Sequence, residues 1–455
     1  MIGVRRAAER AVEARRDADA CVAIAEETTT AHLRWAGNAP TTSGFARDER
    51  LTVIAIAGDS VGVLTRHGEL TGESVSGLVR AAERVARFAA PAPDAQPLIT
   101  GDCAQWQAEP VRTSFGAFRG FVPRLNDTFD REARLATVLY GYAEHQLRTT
   151  YLAASNGLHR RHVQPTGVLE LTVRAGDGPA TAWAGSAVSD FSAVDPGATV
   201  EKMRDRLCWA DRRVALPAGR YQVILSPSAV ADLMLHLYRA ADARAAAGGH
   251  SVFSKGTGGT RVGDRLSDAP LTLYSDPAEP GLACAPFTIA RESGASSSVF
   301  DNGRPLSKTD WISGGVLSAL VQTRHTAGLT GLAHTPGIDN LVLRGGSGSL
   351  AEMIASTRRG LLVMALWYLR EVDPATLLVT GLTRDGVFLI EDGEVVGAVP
   401  DLRFTESPVS LLSRVSEIGG TEPAIPREWG DYFTRMAMPP LRVEEFALSP
   451  AGGAS

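Results

Sequence analysis

Apolar residues along the chain change spacing repeatedly, and each spacing predicts its own kind of element. Val4, Ala8, Ala11 and Val12 recur near helical intervals with Arg and Glu between them, so residues 4–16 are expected to form an amphipathic helix. Short β-branched or alternating runs at 19–27, 32–36, 51–57 and 61–66 read as strands, with Gly58-Asp59-Ser60 as a turn between the last two. Val75, Leu78, Val79, Ala82, Val85 and Ala86 line one face of a second helix over 74–89, and a third helix is expected over 131–146. Strands return at 149–154, 167–174 and 181–187, before a helix over 200–210 and the turn Pro217-Ala218-Gly219. Helices and hairpins in this order predict an antiparallel α+β domain over 1–215.

The second part, 216–455, opens with the apolar strand Tyr221-Gln222-Val223-Ile224-Leu225. Ser226-Pro227 then starts a helix that runs over 228–244, with Pro at its first position. A Gly-rich stretch over 248–263 leads into short strands and turns. Ser349-Leu350-Ala351-Glu352 is a capping box opening a helix over 350–358. Strands follow at 360–370, 377–383 and 387–390, with an acidic turn at Glu391-Asp392-Gly393, and 450–455 reads as a frayed tail. The expected fold class is therefore α+β in two domains, an antiparallel sheet with helices followed by a strand-rich, sheet or barrel-like domain.

Composition narrows the function classes. Of 455 residues, 44% are hydrophobic and 21% charged, enough apolar surface for packed cores and too long a chain for a single one. A formal net charge of −5, with no cluster of Lys and Arg among aromatics, argues against a nucleic-acid partner. Only Lys202, Lys255 and Lys308 are lysines, a bias that reflects a GC-rich coding sequence rather than function. Cys21, Cys103, Cys208 and Cys284 are scattered without metal-binding or disulfide spacing. The charged start of the chain has no signal-peptide core and no run is long enough to span a membrane, so a cytoplasmic protein without a membrane partner is expected.

Four short patterns invite a catalytic reading, and each has a plainer one. Gly58-Asp59-Ser60-Val61-Gly62 fits GxSxG, but a nucleophile elbow lies between a strand and a helix, and here strands flank it on both sides. Lys255-Gly256-Thr257-Gly258-Gly259-Thr260 places Lys before its glycines, the reverse of a phosphate loop, and reads as a surface loop. Glu144-His145 does not complete HExxH and reads as a helix surface pair. His159 and His162, three apart on a strand, project to opposite sides and do not form a metal pair.

Taken in order, several turn segments resemble the TldD/PmbA family, whose TldD-like and TldE-like members pair as a zinc peptidase. The resemblance lies in Tyr151-Leu152-Ala153-Ala154-Ser155-Asn156-Gly157, in Gln222 to Pro227, and in Ser251-Val252-Phe253 with Gly263-Asp264. It continues in Leu271 to Pro277, Val299-Phe300-Asp301-Asn302-Gly303-Arg304-Pro305, Ile312 to Leu317, Ser349 to Leu362, and Phe388 to Glu394. Together these run from Tyr151 to Glu394, 244 residues.

The departure is at the metal site. The zinc-bearing members carry HExxxH on the first helix of the C-terminal domain, with a Cys near the C-terminus as a further ligand. Aligned on Leu225-Ser226-Pro227, the two His positions fall on Leu235 and Ala240 and the Glu position on His236. Shifted by one, His236 comes first, but Leu237 and Ala241 take the other two places, and no Cys follows Cys284. The resemblance then implies a TldE-like, non-catalytic subunit with no metal of its own, in a heterodimer with a zinc-bearing TldD-like HExxxH subunit that processes peptides or peptide-like metabolites. His236 and Arg239 are the candidates for its side of the substrate cleft. The other open reading is an autonomous, homodimeric hydrolase using a site of a different kind.

Overall fold

The computed structural model describes residues 1–451 apart from 104, 177, 179 and 257. The tail expected at 450–455 and the Gly-rich loop at 255–260 thus fall partly outside the described residues, at 452–455 and at Thr257. Helix α1 (Val4–Glu13) leads into strands β1 (Ala20–Ala36), β2 (Ala39–Ala57) and β3 (Ser60–His67). Helices α2 (Gly72–Phe88) and α3 (Phe121–Arg134) follow, then β4 (Thr137–Ala154), β5 (His159–Ala175), β6 (Thr181–Ala187) and helix α4 (Pro196–Trp209). These six strands form one antiparallel sheet in the order β3-β2-β1-β4-β5-β6.

Side chains alternate across that sheet. Cys21, Ala23 and Ala25 of β1 face α1 and α2, while Ala31 and Trp35 farther along the same face pack with residues of α3 and α4. Val22 and Ile24 face the other way, where they meet Phe287, Val299 and Phe300 from the second half of the chain.

That second half begins with β7 (Gly219–Leu225) and helix α5 (Pro227–Ala240), then β8 (Thr272–Ser275), β9 (Thr309–Ser313), β10 (Val316–Leu317) and β11 (Leu341–Arg344). Next come β12 (Arg359–Asp373), β13 (Leu378–Glu391), β14 (Glu394–Val399), β15 (Leu402–Glu406) and β16 (Val415–Ile418). Last are β17 (Glu422–Ala424), β18 (Met436–Met438) and β19 (Leu441–Pro450). Strands β12-β7-β19-β15-β13 are hydrogen-bonded in that order, and β13 pairs back onto β12, so five strands close into a barrel. Val223 and Leu225 of β7 belong to the main core with α5, whereas Ile224 packs with Met353, Phe388 and Trp209 on the other side. A second sheet, β10-β9-β8-β11-β18-β17, completes this half.

The expected class, α+β with an antiparallel first sheet and a barrel-like second part, is the one observed. The third helix is a correction. Residues 131–146 do not form one helix: α3 ends at Arg134, Ala136 takes a positive φ of 53°, and β4 runs between β1 and β5. Glu144 and His145 therefore point to opposite sides of a strand instead of sharing a helix surface. Glu144 accepts the Tyr142 hydroxyl, and buried His145 has its Nδ1 2.6 Å from Thr113 Oγ1. The separate strands expected at 19–27 and 32–36 are one strand, and the helix expected over 228–244 stops at Ala240.

Two other plain readings hold. Ala57 pairs with Ser60 across Gly58 and Asp59, so the GxSxG pattern is a two-residue hairpin, and Ser60 Oγ donates to the Ala89 carbonyl at 2.9 Å. His159 stacks on Trp106 with ring centroids 4.4 Å apart, on the helix side of the sheet, while His162 turns its edge to Phe287 on the other.

Candidate functional site

Helix α5 is fixed from its first residue. Ser226 Oγ accepts the Ala229 N–H at 3.3 Å and donates to the Met364 carbonyl at 2.5 Å, while Pro227 supplies the preset φ of a first helical position. Ala229, Val230, Leu233, Met234 and Leu237 are all buried, so this helix is a core element on most of its circumference. The exception among them is Asp232, an acid with no exposed surface.

Asp232 is buried because it holds a loop. Its carboxylate accepts the backbone N–H of Arg427 at 3.0 Å and of Glu428 at 3.3 Å. Burial pushes its pKa well above the usual carboxylate range, against the pull of those two bonds. Ser228 Oγ adds a bond to the Ile425 carbonyl at 2.9 Å. Glu428 in turn accepts the Leu369 N–H at 2.5 Å and Arg370 Nη1 at 2.9 Å. The segment between β17 and β18 is thus pinned at both α5 and β12.

What this anchoring delivers is Trp429. Its indole meets His236 edge-to-face, ring centroids 6.1 Å apart, and lies under Arg239, whose guanidinium carbon is 5.0 Å from the ring centroid. Tyr432 follows at 5.8 Å from Trp429 and is 77% exposed. The two residues nominated from sequence therefore lie side by side and share one aromatic neighbour. Asp232 and Trp429 were missed. A lone acid inside the apolar run Ala229 to Leu235 is a signal that could have found Asp232; nothing near Trp429 in the sequence ties it to this helix.

The imidazole of His236 is half-buried, and its Nε2 has no hydrogen-bond partner. Burial lowers its pKa, Glu428 opposes, and Arg239 and Arg370 push it down further, so the ring is neutral near pH 7. A zinc ion does not fit here. In either register His236 is the only side chain with a donor atom at the three expected places, Leu235 and Ala241 are packed in the core, and the nearby Glu428 carboxylate is already taken by the Leu369 N–H and Arg370. Among the described residues, no group of three or more His, Cys, Asp or Glu is placed to hold a metal. What remains is an exposed guanidinium over an aromatic shelf, a geometry whose chemistry suits carboxylates and planar groups.

These features define an α+β protein whose first helix after the barrel's opening strand sets His236 and Arg239 against Trp429. The chain belongs to the TldD/PmbA family: the sequence profile described as PmbA/TldA metallopeptidase C-terminal domain matches residues 218–450, just over half its length. No curated protein matches it. Its fold is shared by TldE from Thermococcus kodakarensis, at 18% identity and a TM-score of 0.78, covering 98% of each chain. It is shared also by a putative modulator of a DNA gyrase from Thermotoga maritima, at 15% identity and a TM-score of 0.75, covering 94% of this chain and 96% of that one. A putative modulator of DNA gyrase from Bacteroides thetaiotaomicron follows at 15% identity and 0.73, covering 98% of both. No helix among the described residues is long and apolar enough to cross a membrane.

Proposed function

We propose that this chain is a TldE-like subunit that binds no metal itself and pairs with a zinc-bearing TldD-like subunit, the pair hydrolysing peptides or peptide-like metabolites. The observation that carries this reading is helix α5. It keeps its cap, its packing and its anchored loop, yet offers one imidazole where zinc would need several ligands. A scaffold kept in this detail without its ligands is useful as an interface and as one wall of a cleft. His236 and Arg239 belong to that wall, with Arg239 donating paired N–H bonds to a carboxylate of the substrate.

The test is to co-express this chain with its HExxxH partner and to measure zinc content and peptide hydrolysis for each alone and for the pair. Hydrolysis is expected only from the pair, and stoichiometric zinc only on the partner. In the pair, Arg239→Ala should raise KM for substrates with a carboxylate roughly tenfold and leave kcat nearly unchanged, the signature of lost uniform binding. Full activity of the partner without this chain would reject the subunit reading, and full activity of this chain alone would make it an autonomous hydrolase.

A further inference from the structure

A cavity of about 310 Å³ lies on the opposite side of the first sheet from helices α1 and α2. Two cross-strand rows make its polar wall. One is Glu26, Thr150 and His162 on β1, β4 and β5, and beside it Arg148 of β4 stands opposite Gln164 of β5. Phe287, Ile289, Leu306 and Pro336 from the second half of the chain make the apolar wall. That wall is well fixed, because Asn302 accepts the Ala290 N–H and donates to its carbonyl, each at 2.7 Å.

The charges in this cavity do not balance. Glu26 is 2% exposed and already holds Arg291, with Nη2 to Oε1 at 2.5 Å, as well as Arg50 and the Thr150 hydroxyl. Asp301 is taken by Arg324, and Asp339 by Arg435. Arg148 has no such partner. Its contacts are Thr28 Oγ1 and Gln146 Oε1, both at 3.4 Å, and no carboxylate among the described residues lies within 4.0 Å of it. Burial lowers its pKa, and Glu26 opposes this while Arg291 and Arg50 add to it. Three guanidinium groups thus surround one carboxylate. On the other wall, the buried Thr288 Oγ1 has no hydrogen-bond partner among the described residues. His162 is a poor source of a further cation, since burial lowers its pKa against the opposing pull of Gln164 Oε1, 3.0 Å from its Nε2.

We propose that this cavity binds a small monocarboxylate with an apolar body, of the kind presented by the free C-terminus of a short peptide, with the carboxylate on Arg148 and the body against Phe287 and Ile289. An uncommitted guanidinium facing a half-buried space calls for an anion, and its fork matches a carboxylate. Among the described residues that line it only one such group is free, and Glu26, Asp301 and Asp339 line the same space, so a dianionic phosphate meets more repulsion than a monoanion. Thr288 Oγ1 supplies a further hydrogen bond along the ligand. The proposal stands whether or not the chain works with a partner, because it concerns binding to this chain alone.

Calorimetric titration of the full chain tests it with N-acetyl-Ala-Ala-Leu, its C-terminal amide, 4-methylpentanoate and inorganic phosphate. The acetylated acid is expected to bind at least tenfold more tightly than the amide. If 4-methylpentanoate binds as well as the peptide acid, the natural ligand is a small free acid; if it binds much more weakly, a peptide end. Arg148→Gln should abolish the preference for acid over amide, and Thr288→Val should weaken acid binding severalfold. The unliganded Arg148→Gln protein should melt at the same temperature as the parent or higher, since an unpaired half-buried charge is a cost in the empty protein; its loss of binding is then not a loss of folding. Equal binding of acid and amide, an acid preference that survives in Arg148→Gln, tighter binding of phosphate, or no binding of either acid would each overturn the proposal.

Discussion

Arg291 and Glu26 are separated by 265 residues, yet their side chains meet at 2.5 Å on the face where the first sheet joins the second half of the chain. Glu26 is buried by this contact and by Arg50, so its ionised form is a structural requirement. Burial alone would raise its pKa, but Arg291 and Arg50 outweigh burial and hold it below the usual carboxylate value.

Replacing Glu26 by Gln leaves both guanidinium groups without a counter-charge and should cost about 3 kcal/mol in urea unfolding at pH 7. A folded-state pKa below the unfolded one means stability that is fully present above pH ~4.3 and lost as pH falls through the folded value. The gap in unfolding midpoint between parent and Glu26→Gln should therefore narrow below about pH 4. A gap of constant size down to acid unfolding would show that the carboxylate is not held ionised by its partners.

Asp232→Ala removes the acceptor for two backbone N–H groups at once. The expected cost is about 2–3 kcal/mol, together with a red shift and increased quenching of tryptophan emission as the Trp429 segment comes away from α5. The shift should vanish in a Trp429→Phe background. A stable variant with unchanged emission would mean that the loop is held by Ser228 and Glu428 alone.

His236 gives the opposite pH sense from a histidine gaining a partner. Its folded pKa is lowered, so the unfolded chain takes up its proton first, and its contribution to stability is complete above pH ~6.5 and lost as pH falls below that. His236→Phe keeps the ring beside Trp429 and removes an unpartnered Nε2. It should be neutral or stabilising at pH 8 and should flatten the decline in melting temperature between pH 7 and 5, a slope to which His145 and His162 also contribute. Sharp destabilisation at pH 8 would argue for a bond to this ring in solution.

The division at 1–215 and 216–455 is testable by nicking. Arg212 and Arg213 are exposed, although Val214 N–H bonds the Ala398 carbonyl at 2.8 Å. Brief trypsin treatment is expected to cut there first, leaving two fragments that co-elute on gel filtration because Glu26–Arg291 and the bond from Arg160 Nε to the Gly303 carbonyl at 3.1 Å still join them. Cleavage confined to other places would move the boundary.

Local patterns made much of the fold legible, and their limits have physical causes. The caps at Ser226 and Ser349 and the hairpin at Gly58-Asp59 depend on neighbours a few residues away, and all three form as expected. Helical spacing misled at 131–146, where Leu135, Val138, Leu139 and Tyr142 mimic a helix face while Gly141 and His145 obscure the alternation of a central strand. Local patterns left an open sheet and a barrel as alternatives, because β12 meeting β13 and β7 is a matter of pairing, not of any one segment. In the site, His236 and Arg239 were legible as one face of a helix, but Trp429 reaches them through the bonds of Asp232, Ser228 and Glu428, all between segments far apart in sequence.

The barrel also sets an order of events during synthesis. Its opening strand β7 pairs with β19, and more than two hundred residues separate the two. At a translation rate of roughly 5–20 residues per second, β7 emerges from the ribosome on the order of ten to forty seconds before its neighbour exists. During that interval Val223, Ile224 and Leu225 present an apolar strand with an open hydrogen-bonding edge, the kind of edge on which nascent chains aggregate. The half-made protein is therefore a natural client for a chaperone, and any stalled or truncated product ending before Leu441 is left with a gap in its barrel wall.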